Sequence, residues 1–179
     1  PDSKTSRAFP VRGKNAKTDG KAIFMIHEWW GLNDFVKREA AELADSLGDI
    51  TVIAVDLYDG NVATTREDAA KFMQSVRPER AQAIVRGAFD YAGKNARLGT
   101  IGWCFGGGWS LQAAMLAGSR ATSCVMYYGM PETDAAKLKA VSAPVLGIFA
   151  GRDQWITPTV VEQFQINAKA AGVTLTVKS

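Results

Sequence analysis

An open, mostly parallel α/β sheet is the fold this chain predicts, on three observations. Short apolar runs alternate with segments of helical periodicity from residue 22 to residue 177. The runs at 22–26 and 50–55 are almost continuously apolar, which marks strands covered on both faces. Capping residues, prolines and glycines punctuate the segments where helix ends need them.

The first buried strand is 22–26, AIFMI. Asn33 or Asp34 caps the following helix, whose apolar stripe is Val36, Ala40, Leu43 and Leu47, and Gly48 ends it. Residues 50–55 form the second strand, and 66–75 a short helix. Pro78 suits the first helical position of another helix, with Ile84, Val85, Ala88 and Ala92 inward. A third strand, 98–103, runs into a glycine-cysteine turn and a helix at 107–117. Strands follow at 122–128 and 145–150. Thr157 and Pro158 open a helix with Val161, Phe164 and Ala168 inward, Gly172 closes it, and 173–177 is the last strand. Strands separated by helices call for right-handed crossovers in one sheet. No repeat, low-complexity tract or linker interrupts the pattern, so 1–179 reads as a single domain.

That length suits one domain burying about 70% of its unfolded surface. The hydrophobic share is 47% and the charged share 22%, ordinary for a globular chain. No apolar run is long enough to span a bilayer, so no membrane partner is expected. The net charge is only +3, and Lys4, Arg7, Arg12, Lys14, Lys17 and Lys21 read as a solvated basic leader rather than a nucleic-acid patch. Two cysteines make no disulfide framework, and Cys124, inside an apolar run, reads as a core thiol. Free thiols point to a reducing, cytoplasmic setting, although Pro1 at the first position leaves room for a cleaved leader.

Chemistry in such sheets collects at the carboxyl ends of strands. Gly102-Trp103-Cys104-Phe105-Gly106 occupies one, as the strand–turn–helix form of G-x-nucleophile-x-G. The turn projects Cys104, the helix N-terminus behind it favours thiolate, and the Phe105 N–H points where an oxyanion forms. The plain alternative is a glycine-rich turn with a buried cysteine. The first strand ends in His27-Glu28-Trp29-Trp30-Gly31, which makes the Trp29 N–H the candidate second oxyanion donor. Glu28 then sits near the thiol and disfavours thiolate, which suggests a gated nucleophile; its alternative is bracing the loop. His27-Glu28 starts like H-E-x-x-H, but position 31 is Gly and no second histidine exists, so that zinc site is excluded and no metal is expected. Asp153, after the strand at 145–150, is the candidate triad acid, with an ordinary polar turn as its alternative.

The segments HEWWGLN, VIAVDLYDG, GWCFGGG and FAGRDQWITP, in this order, resemble the dienelactone hydrolase family, a cysteine branch of the α/β-hydrolases. The resemblance implies an α/β-hydrolase-like, mostly parallel twisted sheet with helices on both faces. It implies hydrolysis of lactones or other small carboxylic esters without metal or organic cofactor. It assigns Cys104 as nucleophile, Asp153 as the acid orienting a histidine, Glu28 as the carboxylate near the resting thiol, and Phe105 and Trp29 as oxyanion donors. Trp30, Tyr58, Trp109 and Trp155 are candidate walls of an apolar acyl pocket, with core packing as the alternative for each tryptophan.

Two departures stand out. The family's arginine, two residues after the tyrosine of the DLY segment, is Gly60 here, which puts the dienelactone substrate in doubt. Arg66 and Arg152 are candidate replacements or plain surface charges. The family's histidine should follow the last strand, yet His27 is the only histidine and reads as packing beside the site. The expectation is therefore a chain truncated at its C-terminus, with a histidine loop and one helix beyond Ser179, and near inactivity of 1–179 alone. Two rivals remain. A glutamine-amidotransferase-like domain shares G-x-C-x-G but needs a glycine-rich early loop. A non-catalytic scaffold on a degenerate hydrolase fold gains from the missing histidine and loses from intact Cys104, Glu28 and Asp153. The expected partner is a small ester or lactone; the oligomeric state stays open, a monomer being the default.

Overall fold

A computed structural model describes residues 5–179. In chain order it comprises β1 (Ala8–Arg12), β2 (Lys21–Ile26), α1 (Asp34–Leu47), β3 (Ile50–Val55), α2 (Arg66–Ser75), α3 (Pro78–Ala92), β4 (Arg97–Trp103), α4 (Phe105–Ala117), β5 (Ala121–Tyr127), α5 (Ala135–Leu138), β6 (Val145–Ile148), α6 (Pro158–Ala170) and β7 (Leu175–Lys178). The strands form one sheet in the order β1-β3-β2-β4-β5-β6-β7. All neighbours are parallel except β1, which pairs antiparallel with β3.

Local signals explain most boundaries. The Asn33 side chain accepts a hydrogen bond from Val36 N at 3.1 Å, and Gly48 closes α1. Thr65 and Thr157 cap α2 and α6 in the same way, and Pro78 starts α3. Three sequence expectations are corrected. Part of the basic leader is β1, ordered by pairing with β3; Lys4 lies outside the described residues. Leu47 is 44% exposed, because the buried stripe of α1 steps by fours through Val36, Ala40 and Ala44. Val173 does not start the last strand: its N–H returns to Ala168 O and closes α6.

Burial divides the sheet into two faces. On one, Met25, Val52 and Ala54 pack beneath Val36, Ala40 and Ala44 of α1. On the other, Phe24, Ile26, Ile53, Leu98 and Met126 meet Ile84 and Val85 of α3, Leu111 of α4 and Phe164 of α6. The β2 connection leads through α1 to β3 on one side, whereas the β4 connection leads through α4 to β5 on the other. The two chains part at the carboxyl ends of β2 and β4, the switch point where open α/β sheets bind ligands. From β4 onward, the α1 face presents the half-buried Ile101, Trp103, Val125, Tyr127, Leu146 and Ile148, aligned by register.

Candidate active site

Cys104 follows β4 directly, with φ 54° and ψ −122°. A non-glycine residue rarely holds that backbone, and such strain clusters at functional positions. Gly102 and Gly106 make the turn sterically feasible. A Cβ on Gly102 would collide with Gly106 O, and one on Gly106 with Ile26 O. The helix starts at Phe105, two residues earlier than expected, so Cys104 itself is the N-cap of α4. Its N–H is fixed by Tyr127 O at 3.0 Å.

The thiol is half-buried, and its pKa lies above the usual thiol value. Burial is the main cause; the Phe105 N–H pulls the other way, and the charges of Glu28 and Asp153 add to the rise. The helix N-terminus thus acts in the expected direction but is outweighed, and the resting group is a thiol.

Glu28 lies just past β2, and its Oε1 accepts a hydrogen bond from Tyr128 Oη at 3.2 Å. Tyr128 follows β5, the neighbour of β4, and has φ 37°. Its phenol is pushed up to about 12 by burial, then by the Glu28 charge and hydrogen bond, then by Cys104. Sequence reasoning missed this residue by placing it inside a strand. The available signal was its position at the carboxyl end of a parallel strand, just before Gly129. Met25, Glu28, Phe35, Val36, Glu39, Trp103 and Tyr128 enclose a cavity of about 220 Å³ beside the turn.

Asp153 Oδ1 accepts from Trp155 N at 2.7 Å and Ile156 N at 3.0 Å. These two bonds hold the carboxyl below its usual range. The Asp153 Oδ2 atom accepts no hydrogen bond among the described residues. The remaining candidates divide. Tyr58 is buried with its ring centroid 5.5 Å from that of Phe105, and its hydroxyl has no partner among the described residues. Trp109 tilts against Phe105 at 6.5 Å, and Trp29 and Trp30 meet edge to face at 5.3 Å. Trp155 does not join them: it is 85% exposed.

His27 is fully buried, and both its ring nitrogens are engaged. Nδ1 donates to Glu28 O at 2.6 Å, and Nε2 accepts from Leu57 N at 3.1 Å. Burial pushes its pKa down, so the ring is neutral and carries its proton on Nδ1. The DLY turn is tied by Asp56, whose carboxylate accepts from Tyr58 N and Gly60 N at 2.9 and 2.6 Å. A Cβ at Gly60 would meet the Arg7 guanidinium, while Arg66 and Arg152 are exposed. Among the described residues no group of His, Cys, Asp and Glu has the geometry of a metal site. Among the described residues no helix is long and apolar enough to cross a membrane.

Comparison with known proteins adds three findings. The family model described as the dienelactone hydrolase family matches residues 7–179. Protein usf of Aquifex pyrophilus is 28% identical, across 94% of this chain and 78% of that protein, and the carboxymethylenebutenolidase of Pseudomonas putida is 27% identical, across 80% and 65%. A Klebsiella pneumoniae crystal structure, described as a candidate dienelactone hydrolase, shares the fold with TM-score 0.80 and 23% identity, across 99% of this chain and 80% of that one.

Proposed function

The chain belongs to the dienelactone hydrolase family, and on that premise we propose that it hydrolyses small carboxylic esters or lactones through an acyl-enzyme on Cys104. The observation that carries the reading is the strained Cys104 turn, with the Phe105 N–H against its sulfur at the switch point of the sheet.

The thiol proton passes to a histidine as Sγ attacks the substrate carbonyl carbon. The Phe105 and Trp29 N–H groups hold the resulting oxyanion. Collapse breaks the carbon–oxygen bond, and the leaving alkoxide takes the proton back from the imidazolium. Water, deprotonated by the same imidazole, attacks the thioester, and a second collapse releases the acid and restores the thiol. Asp153, through its open Oδ2, orients the histidine. Glu28, held by Tyr128, keeps the thiol protonated until substrate arrives.

His27 is not that base, because neither of its nitrogens is free. The base is a histidine that residues 1–179 do not supply, His27 being the one histidine among them.

With Gly60 in place of a carboxylate-holding arginine, neutral esters are the better substrates. The test is hydrolysis of p-nitrophenyl acetate and of a carboxylate-bearing lactone by the full-length protein. The reading expects turnover of the neutral ester, and less than about a tenfold preference (~1.4 kcal/mol) for the charged lactone. It also expects near inactivity of 1–179 alone. Full activity of Cys104→Ala would overturn the reading.

A further inference from the structure

We propose that His27 is the positioning residue of the oxyanion site, setting the direction of the Trp29 N–H; the inference rests on the reading of Cys104 and Trp29 above. Glu28 C=O and Trp29 N–H belong to the same planar unit, and no cis peptide bond occurs in the described chain. In a trans peptide the N–H points opposite to the C=O. Whatever holds the carbonyl therefore aims the donor.

That carbonyl is held twice. His27 Nδ1 donates to Glu28 O at 2.6 Å, and Gly31 N donates to it at 3.3 Å. The imidazole is fully buried, so the carbonyl is turned toward the core and the Trp29 N–H away from it. The Trp29 N–H makes no hydrogen bond among the described residues, which leaves it available to a ligand at the carboxyl end of β2. An N–H with no internal partner beside a buried anchor is how a fixed oxyanion donor is built.

The ring is itself fixed on three further sides. Nε2 accepts from Leu57 N at 3.1 Å, which ties the loop after β3 to the loop after β2. Tyr58 packs edge-on at 4.6 Å, and Phe105 stacks at 5.9 Å. Phe105 carries the second donor. One side chain thus bonds the peptide of the first donor and packs against the residue of the second. This requires a donor at Nδ1 and an acceptor at Nε2, a pair that only the neutral tautomer provides. His27 moves no proton in the reaction and touches no substrate.

The experiment compares three substitutions in the full-length protein. His27→Asn places an amide nitrogen near the Nδ1 position and keeps the bond to Glu28 O. His27→Gln reaches the Nε2 position and keeps the bond to Leu57 N instead. His27→Phe keeps the packing and loses both bonds. Two rates are read on each: kcat and KM for p-nitrophenyl acetate, and alkylation of Cys104 by iodoacetamide. Alkylation is a direct displacement that forms no oxyanion, so a misaimed donor leaves it unchanged.

The expected result is a kcat lowered about 10²-fold in His27→Phe and His27→Gln, within the range for loss of an oxyanion donor. KM should change less than threefold, alkylation should match the parent, and His27→Asn should recover most of kcat. Unchanged kcat in His27→Phe overturns the inference. So does a loss of kcat accompanied by a changed alkylation rate at Cys104 or by labelling of Cys124 under native conditions, which marks a residue needed only for folding, or equal kcat in Asn and Gln. Cys104→Ala, run alongside, separates the two readings: if it retains turnover, the site assignment fails; if it is inactive while His27→Phe is not, only the positioning role fails.

Discussion

Cys104 directly follows β4 and Cys124 lies within the neighbouring β5, and burial raises the pKa of both. Their surroundings still give them different chemistry. Cys124 sits within β5, opposite Thr100 of β4, and is 1% exposed. Its sulfur lies 3.6 Å from Ser110 Oγ, which donates to Val125 O, so the thiol fills a gap between α4 and the sheet. Cys104 sits where β4 has ended, on a left-handed backbone, with an N–H on its sulfur and two carboxylates acting on it. Burial of a thiol therefore says little about reactivity. What separates the pair is the strand end, where the backbone turns and its N–H groups lose their internal partners.

The largest test of this contrast removes each sulfur in turn from the full-length protein. Cys104→Ala is expected to lower kcat for p-nitrophenyl acetate by about 10⁴–10⁶, the range for losing one member of a catalytic unit. Cys124→Ala should leave turnover near the parent level and cost about 1–2 kcal/mol of stability in urea unfolding. A large activity loss in the second variant would break the division.

Alkylation sharpens it kinetically. Iodoacetamide should label Cys104 in the folded protein and leave Cys124 protected until global unfolding, a difference of about 10³ or more for a domain of ordinary stability. Equal labelling rates, read by peptide mass spectrometry, would count against the assignment.

The carboxylate can be separated from the burial. Because the Glu28 charge contributes to the raised pKa of Cys104, Glu28→Gln should lower it, and the pH profile of alkylation should move toward lower pH. Burial stays, so the thiol should not fall far below the ordinary value. An unchanged profile would reduce Glu28 to bracing the loop.

The smallest expected effect concerns Tyr58. Its buried hydroxyl has no partner among the described residues, so Tyr58→Phe removes an unsatisfied polar group while keeping the ring against Phe105 and His27. Stability should rise by about 1 kcal/mol. A loss of similar size would mean that the hydroxyl is solvated in the folded protein.

Short-range physics made much of this molecule legible from the amino-acid order. Asn33 and Thr157 cap helices because a side-chain oxygen three residues back reaches a free N–H. Pro78 starts one because its φ is already set. The Gly102–Gly106 spacing marks a place where strand, turn and helix crowd together, and Cys104 stands out at its centre. These are contacts within a few residues, and the local order contains them in full. Other features needed the assembled sheet. Residues 8–12 become a strand only because β3, some 40 positions later, offers its edge. Tyr128 meets Glu28 across a separation of 100 residues, through the register of β2, β4 and β5. His27 finds Leu57 thirty positions away, and that contact joins the loop after β2 to the loop after β3. Trp155 follows the same rule in reverse, an apolar side chain that no partner among the described residues buries. Local propensity has no term for such pairings, because they depend on which strands become neighbours and on where each side chain then points.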